Sequence, residues 1–266
     1  MARAIFRTLT NVSPRSLKVW RRDFDVYLTT WKTNFVPPLL EPVFYVLAFG
    51  FGLGSMIGDF RYLGRSIGYL HFMAPGVVAV AIMFWSFFEN TYSSFVRMYY
   101  QKTFDAIIAT PLLVEDVIVG ELLWGTTKSL IASTIMTGVL TAFGLISYPT
   151  GLWILPLAFL GGVIFSSLAL IATSLTPNID SFNFPIFIFI FPMFMFSGTF
   201  LPVDILPAWA RVIAWCLPLT HVSLLVRGSF LGWYPAGWGW SLLYLGAAAV
   251  VFFVTALHLM KRRLIK

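Results

Sequence analysis

The sequence predicts an all-α, polytopic membrane protein with six transmembrane helices, and three observations carry that prediction. Hydrophobic residues make up 59% of the 266-residue chain and charged residues only 11%, where a soluble domain has about 45–50% and about 25%. Apolar runs recur near 35–55, 72–96, 118–146, 152–175, 184–201 and 240–260, each close to the roughly 20 residues a helix needs to cross about 30 Å of hydrocarbon. Basic residues collect on alternate sides of these runs, as a topology signal does.

The first 33 residues carry Arg3, Arg7, Arg15, Lys18, Arg21, Arg22 and Lys32 but no short apolar core of a cleavable leader, so the N-terminus is expected to be retained. Ser13-Pro14 reads as an N-cap followed by proline at the first helical position. Beyond it, Leu17, Trp20, Phe24, Tyr27, Leu28 and Trp31 recur at helical spacing, with Lys18, Arg22, Asp25, Thr29 and Lys32 opposite. That pattern predicts an amphipathic helix lying in the cytoplasmic interface, its aromatics in the acyl boundary.

Six spans from a cytoplasmic start place Arg97, Lys102, Lys261, Arg262, Arg263 and Lys266 on the same side as the basic N-terminal segment, and only Arg61, Arg65, Arg211 and Arg227 outside. The stretch 205–234 is apolar but broken by Pro207, Arg211, Pro218, His221 and Arg227. A seventh span there would move the terminal KRRLIK outside, against the positive-inside bias. The segment 202–236 is therefore expected to hold short re-entrant extracytoplasmic helices, with both termini cytoplasmic and the whole chain one domain. The net charge of +7 is a topology signal on this reading rather than a nucleic-acid footprint, because its residues flank apolar runs.

The loop 97–117 between the second and third spans is too short to fold alone. Phe104, Ile107 and Ile108 form an apolar cluster on a short helix that Pro111 ends, flanked by Lys102, Asp105 and Glu115. From the residues alone, two readings stand: a knob for a groove on a partner protein, or a surface loop touching lipid headgroups. In the fifth span, Phe184, Phe187, Phe191 and Phe194 make one helical stripe, while Pro185 and Pro192 remove backbone donors. The stripe either packs against other spans or lines a path for an amphipathic cargo. Glu41, Glu89 and Lys128 reach similar depth, roughly 10–15 Å from the cytoplasmic side at about 1.5 Å per residue, and Glu121 shares a helix face with Lys128. Charges in hydrocarbon are costly and seldom unpaired, so Lys128 is expected to pair with Glu89 or Glu41, as a structural ion pair or a substrate-headgroup site.

VWRR at 19–22, LEPVFYVLAFGFGLGS at 40–55, FENTYSSFVRM at 88–98, TFDAIIATPLLVEDVIVGELLW at 103–124, SLTPNID at 174–180, FLPVDILP at 200–207, LPLTH at 217–221 and KRRL at 261–264 run in one order over nearly the whole length. With these segments the chain resembles the membrane component of type-2 ABC exporters, most closely the nodulation protein J family. The resemblance implies that 101–112 is a coupling helix, with Lys102, Thr103, Phe104, Asp105, Ile107, Ile108, Thr110 and Pro111 docking into a separate ATPase subunit, and that Trp20, Arg21 and Arg22 belong to the interface helix. It further implies two ATPase copies carrying ATP and Mg, a second copy of this permease, an inner-membrane location, and export of an amphipathic cargo such as a lipo-oligosaccharide, glycolipid or drug-like molecule.

No G-x-x-x-x-G-K-[ST] loop occurs in the sequence, so hydrolysis is expected on another chain. His71, His221 and His258 lack metal-ligand spacing, and the one cysteine, Cys216, excludes an intrachain disulfide. Neither a catalytic nor a metal site is predicted. A membrane-embedded transferase or hydrolase acting on a lipid-linked substrate is the rival class, and it calls for carboxylates, histidines or serines clustered at one membrane face.

Overall fold

In the computed structural model, residues 12–265 are described, and most of them are helical. Arg3, Arg7 and Lys266, counted above as topology signals, lie outside the described residues. The N-terminal helix α1 is Ser16–Thr29. It is followed by α2, Trp31–Tyr45, which carries Pro37, Pro38 and Pro42 and continues through the wider turns of Val46–Leu53 to Ile57. Then come α3 (Tyr69–Tyr100), the short α4 (Thr103–Ile108), α5 (Val114–Ala142), α6 (Ile154–Leu175), α7 (Ile179–Phe196), α8 (Ala208–Cys216), α9 (Pro218–Leu231) and α10 (Trp238–Leu264).

Each of the six predicted runs falls on a helix. Among the described residues, α3, α6, α7 and α10 are long and apolar enough to cross a membrane, and α8 and α9 meet those criteria together but bend by 82°. Helix α5 has 29 residues, about 43 Å at 1.5 Å per residue, and is less apolar because Glu115, Asp116, Glu121 and Lys128 lie on it.

An all-helical chain is corrected at one place. Asp59–Tyr62 (β1) and Arg65–Gly68 (β2) form an antiparallel hairpin in the register Asp59↔Gly68 to Tyr62↔Arg65. Its two-residue turn, Leu63-Gly64, has both φ angles positive, at 48° and 81°, which matches the right-handed strand twist. Arg65 closes the hairpin onto Trp233, 4.8 Å from the ring centre.

The core is α5 and α6 crossed by α3, α9 and α10. Bundles in lipid associate through small residues and interhelical hydrogen bonds rather than through the hydrophobic effect, and the seam here follows that rule. A Cβ at Gly125 would meet Asn90 Nδ2 at 1.5 Å, and Asn90 donates to Ser166 Oγ at 3.0 Å while its carbonyl accepts from Thr173 Oγ1 at 2.8 Å.

Part of the aromatic face of α1 packs on the bundle: Val19 is buried, Trp20 donates through Nε1 to Thr127 Oγ1 at 2.9 Å, and Phe24 and Tyr27 meet Trp124 edge-on. Gly120 permits this, since a Cβ there would meet Val19 Cβ at 2.5 Å and the Ser16 carbonyl at 2.8 Å. Leu17 and Leu28 stay exposed. The helix also starts two residues later than Ser13-Pro14 suggested, after a turn in which Ser16 N donates to the Ser13 carbonyl at 3.1 Å.

Candidate functional site

Where α1, α3 and α5 converge, an ion-pair cluster forms. Glu89 is 4% exposed at its side chain and accepts from Lys128 Nζ at 2.7 Å, Arg97 Nη1 at 2.9 Å and Trp124 Nε1 at 3.0 Å. Glu121 is fully buried and takes Arg97 Nη2 at 2.6 Å and Ser94 Oγ at 2.6 Å. Asp23 pairs with Arg22, and its Oδ1 lies 3.9 Å from Arg97 Nε. Burial, with Glu121 beside it, pushes the Asp23 carboxyl up to about 6 against the attraction of Arg97 and Arg22.

Of the two partners expected for Lys128, Glu89 and Glu41, the structure pairs it with Glu89. Glu41 takes no part in it and instead meets the indole of Trp85. Glu121, placed on the Lys128 face by helical spacing, turns to Arg97. Arg97, Asp23 and Ser94 are additions that sequence reasoning missed. Glu89 and Arg97 are eight residues apart, which in a regular helix leaves them about 80° off register. The wider turns of Glu89–Ser93 and Val96–Tyr100 advance less per residue, and they bring the guanidinium back over the carboxylate. Such bulges are frequent at functional sites.

Beside the cluster, the loop after α3 is tied to the bundle rather than free. Asp116 is buried and accepts from Ser13 N at 2.9 Å, Ser13 Oγ at 3.0 Å and Leu113 N at 3.2 Å. Arg15 Nη1 donates to the Pro111 carbonyl at 2.9 Å, and Lys261 reaches Glu115 at 2.6 Å. The first turn of α5 thus holds both α1 and the end of α10.

The predicted docking residues divide. Phe104 is fully buried in the chain's own core, so its place on a docking surface is corrected: the apolar side of α4 faces inward, with Ile107 and Ile108 packed beside it. Lys102, Asp105, Thr110 and Pro111 are exposed and Thr103 is half-buried. Lys102 and Asp105 stand 4.0 Å apart and are both about two-thirds exposed, a contact worth little. Of the interface-helix residues, Trp20 and Arg22 turn to the bundle while Arg21 is exposed.

The phenylalanine stripe also divides. Phe184, Phe187 and Phe191 are exposed, the last two stacked 5.1 Å apart, whereas Phe194 packs against Phe84 and Phe200. His221 has partners on both ring nitrogens, Ser241 Oγ and the Trp215 carbonyl, each at 3.0 Å. Among the described residues no group of His, Cys, Asp and Glu could hold a metal ion.

These features define a multi-pass helical membrane protein with an internal charge cluster and a short helix pinned between two spans. The chain matches the model of the ABC-2 type transporter family over residues 17–231, and it belongs to that family. It is 35% identical to nodulation protein J of Sinorhizobium fredii over 94% of each chain, and 34% identical to nodulation protein J of Rhizobium meliloti over 93% of each. It is also 22% identical to the inner membrane transport permease YadH of Escherichia coli, covering 80% of this chain and 82% of that one. The chain is a permease subunit of a type-2 ABC exporter, a transport component of the membrane. The family implies an ABC ATPase as partner.

Proposed function

We propose that this permease works in the inner membrane as a homodimer with two copies of a separate ATPase that bind ATP and Mg, and that it exports an amphipathic cargo, a lipo-oligosaccharide, glycolipid or drug-like molecule. The observation that carries the coupling is the pinning of 101–116. Its outer side offers Lys102, Asp105 and Thr110, while its inner side is bonded to α1 through Arg15 and Ser13 and to α10 through Lys261. A push delivered to α4 therefore moves α1, α5 and α10 together, and the ion-pair cluster carries it to α3. Phe184, Phe187 and Phe191 stay as the candidate cargo path, on a helix whose apolar window is only 17% buried.

Six spans with both ends cytoplasmic, and re-entrant helices over 202–236, are supported by a parity argument. Glu115 and Lys261 touch, so an even number of crossings separates them. Helices α5, α6, α7 and α10 supply four, which leaves none for the bent pair α8–α9. Ser13 meets Asp116 across α2 and α3, again an even number.

The test uses reconstituted vesicles with the partner ATPase. Asp105→Lys and Thr110→Glu, both on the exposed side of α4, are expected to lose ATPase co-purification or ATP-driven cargo transport while the permease stays folded. Normal co-purification and transport in both variants would remove the coupling assignment.

A further inference from the structure

Arg227 on α9 is 4% exposed, and every acceptor it meets is neutral. Its Nε donates to the Phe72 carbonyl at 3.0 Å, and its Nη2 donates to the carbonyls of Gly198 and Thr199 at 2.8 and 3.4 Å. The guanidinium lies 3.9 Å from the centre of the Phe72 ring. Among the described residues no carboxylate pairs with it, whereas Arg97 has several. Carbonyls and rings solvate a cation but leave its charge in place, and a buried charge without a counter-ion is costly.

Arg227 lines a cavity of about 180 Å³, whose wall also includes Tyr62 of β1, Asp204, Trp215 and Thr220. Arg227 and Asp204 are the charged residues of that wall, one of each sign. Because Asp204 is exposed and Arg227 buried, the two charges suit a ligand that carries its anion inward and its cation outward. A guanidinium is the side chain best matched to phosphate. Trp215 belongs both to this wall and to a row of exposed apolar side chains on α8, with Trp209, Val212 and Ile213. On the same helix Ala210 and Ala214 are buried, and Arg211 folds back onto the carbonyls of Asp204 and Leu206. A soluble ion has no use for such a row, whereas acyl chains do. Resting on the reading of 202–236 as extracytoplasmic, we propose that the cavity holds the headgroup of one outer-leaflet phospholipid of the phosphoethanolamine class. Its phosphate is the counter-ion of Arg227, its ammonium meets Asp204, and its chains lie along Trp209, Val212 and Ile213. The lipid is a resident of the re-entrant segment rather than cargo.

The test titrates delipidated full-length protein in detergent with dioleoylphosphatidylethanolamine, dioleoylphosphatidylglycerol and dioleoylglycerol, and counts bound lipid by native mass spectrometry. The ethanolamine lipid is expected to bind at least tenfold tighter than the other two, and Arg227→Gln to lose that advantage over dioleoylglycerol. Asp204→Asn, at an exposed side chain, is expected to bring the glycerol phospholipid to within twofold of the ethanolamine lipid, and it decides the matter if Arg227→Gln does not fold. Equal binding of either other lipid by the parent, or a selectivity unchanged in Asp204→Asn, overturns the proposal. So does free phosphoethanolamine binding as tightly as the lipid, which makes a soluble ester the occupant. Sidedness is read separately through Cys216, the sole cysteine and an exposed one, which is expected to react with an impermeant maleimide added outside right-side-out vesicles. Labelling from the inside alone removes the extracytoplasmic reading and the outer-leaflet lipid with it, whereas outside labelling without selective lipid binding removes the lipid site alone.

Discussion

Replacing Lys128 by methionine is expected to destabilise the permease, and replacing Arg97 to do so more. At an effective dielectric near 20, two unit charges about 4 Å apart attract by about 4 kcal/mol before desolvation is counted. Lys128 has one such partner, Glu89, whereas Arg97 has Glu89 and Glu121 with Asp23 just beyond. Stranding a buried charge costs about 3–5 kcal/mol net. Lys128→Met belongs at the low end, because Glu89 keeps Arg97 and Trp124; Arg97→Met belongs at the high end, because Glu121 keeps only Ser94 and a distant Arg22. At about 2–4 °C per kcal/mol for a chain near this size, apparent Tm should fall by roughly 6–12 °C and 10–20 °C respectively. The assay is thermal unfolding of purified protein in nanodiscs. Adding Glu89→Gln to Lys128→Met should recover part of the loss, since it removes the cluster's excess negative charge although Arg97 also gives up that partner. A Lys128→Met protein as stable as the parent, a reversed order of the two singles, or a double variant no better than Lys128→Met would falsify the account.

Three further predictions can be checked on the same preparations. Asp23 holds its proton to about pH 6 in the folded protein against an ordinary value of 3.8, so the folded state binds more protons in that window and stability falls as pH rises from about 4 to 6. Asp23→Asn should flatten that profile by roughly 1–3 kcal/mol, and a parent curve rising with pH would contradict it. Gly120→Val drives a side chain into Val19 and should cost about 1–3 kcal/mol, with α1 opening to limited proteolysis; an unchanged cleavage pattern counts against the docking. Phe104→Ala leaves a cavity worth about 3–5 kcal/mol, while Asp105→Lys should leave Tm within about 1 kcal/mol equivalent, and equal losses in both would show that α4 is oriented otherwise.

The sequence made the Lys128–Glu89 pair legible because both charges interrupt apolar runs at matching depth, where a lone charge is too costly to persist. Arg97 was hidden by helix geometry, since regular spacing points it away from Glu89 and the wide turns that correct this leave no compositional mark. Phe104, Ile107 and Ile108 share a stripe by spacing alone. That spacing says they face something apolar, but not whether the surface belongs to the same chain. For α1 the aromatic face was legible but its contact with α5 was not, because Gly120 marks close approach only once its neighbours in space are known. The hairpin at 59–68 carries too few residues for alternation to stand out between two spans. The long apolar helices were the easiest part, because about 20 apolar residues in a row leave few other structures open.

The adjacent carboxylates Glu115 and Asp116 bind groups made at opposite ends of synthesis, Ser13 103 positions before Asp116 and Lys261 146 positions after Glu115. The two contacts therefore act as a check on insertion. On the six-span reading, loss of α2 or α3 alone would part Ser13 from Asp116, and loss of one span from α5 to α10 would part Lys261 from Glu115. A chain that lost one span from α5 to α10 would then hold the basic end of α10 and the acidic first turn of α5 in opposite aqueous compartments, so that the two contacts together record the parity of every span.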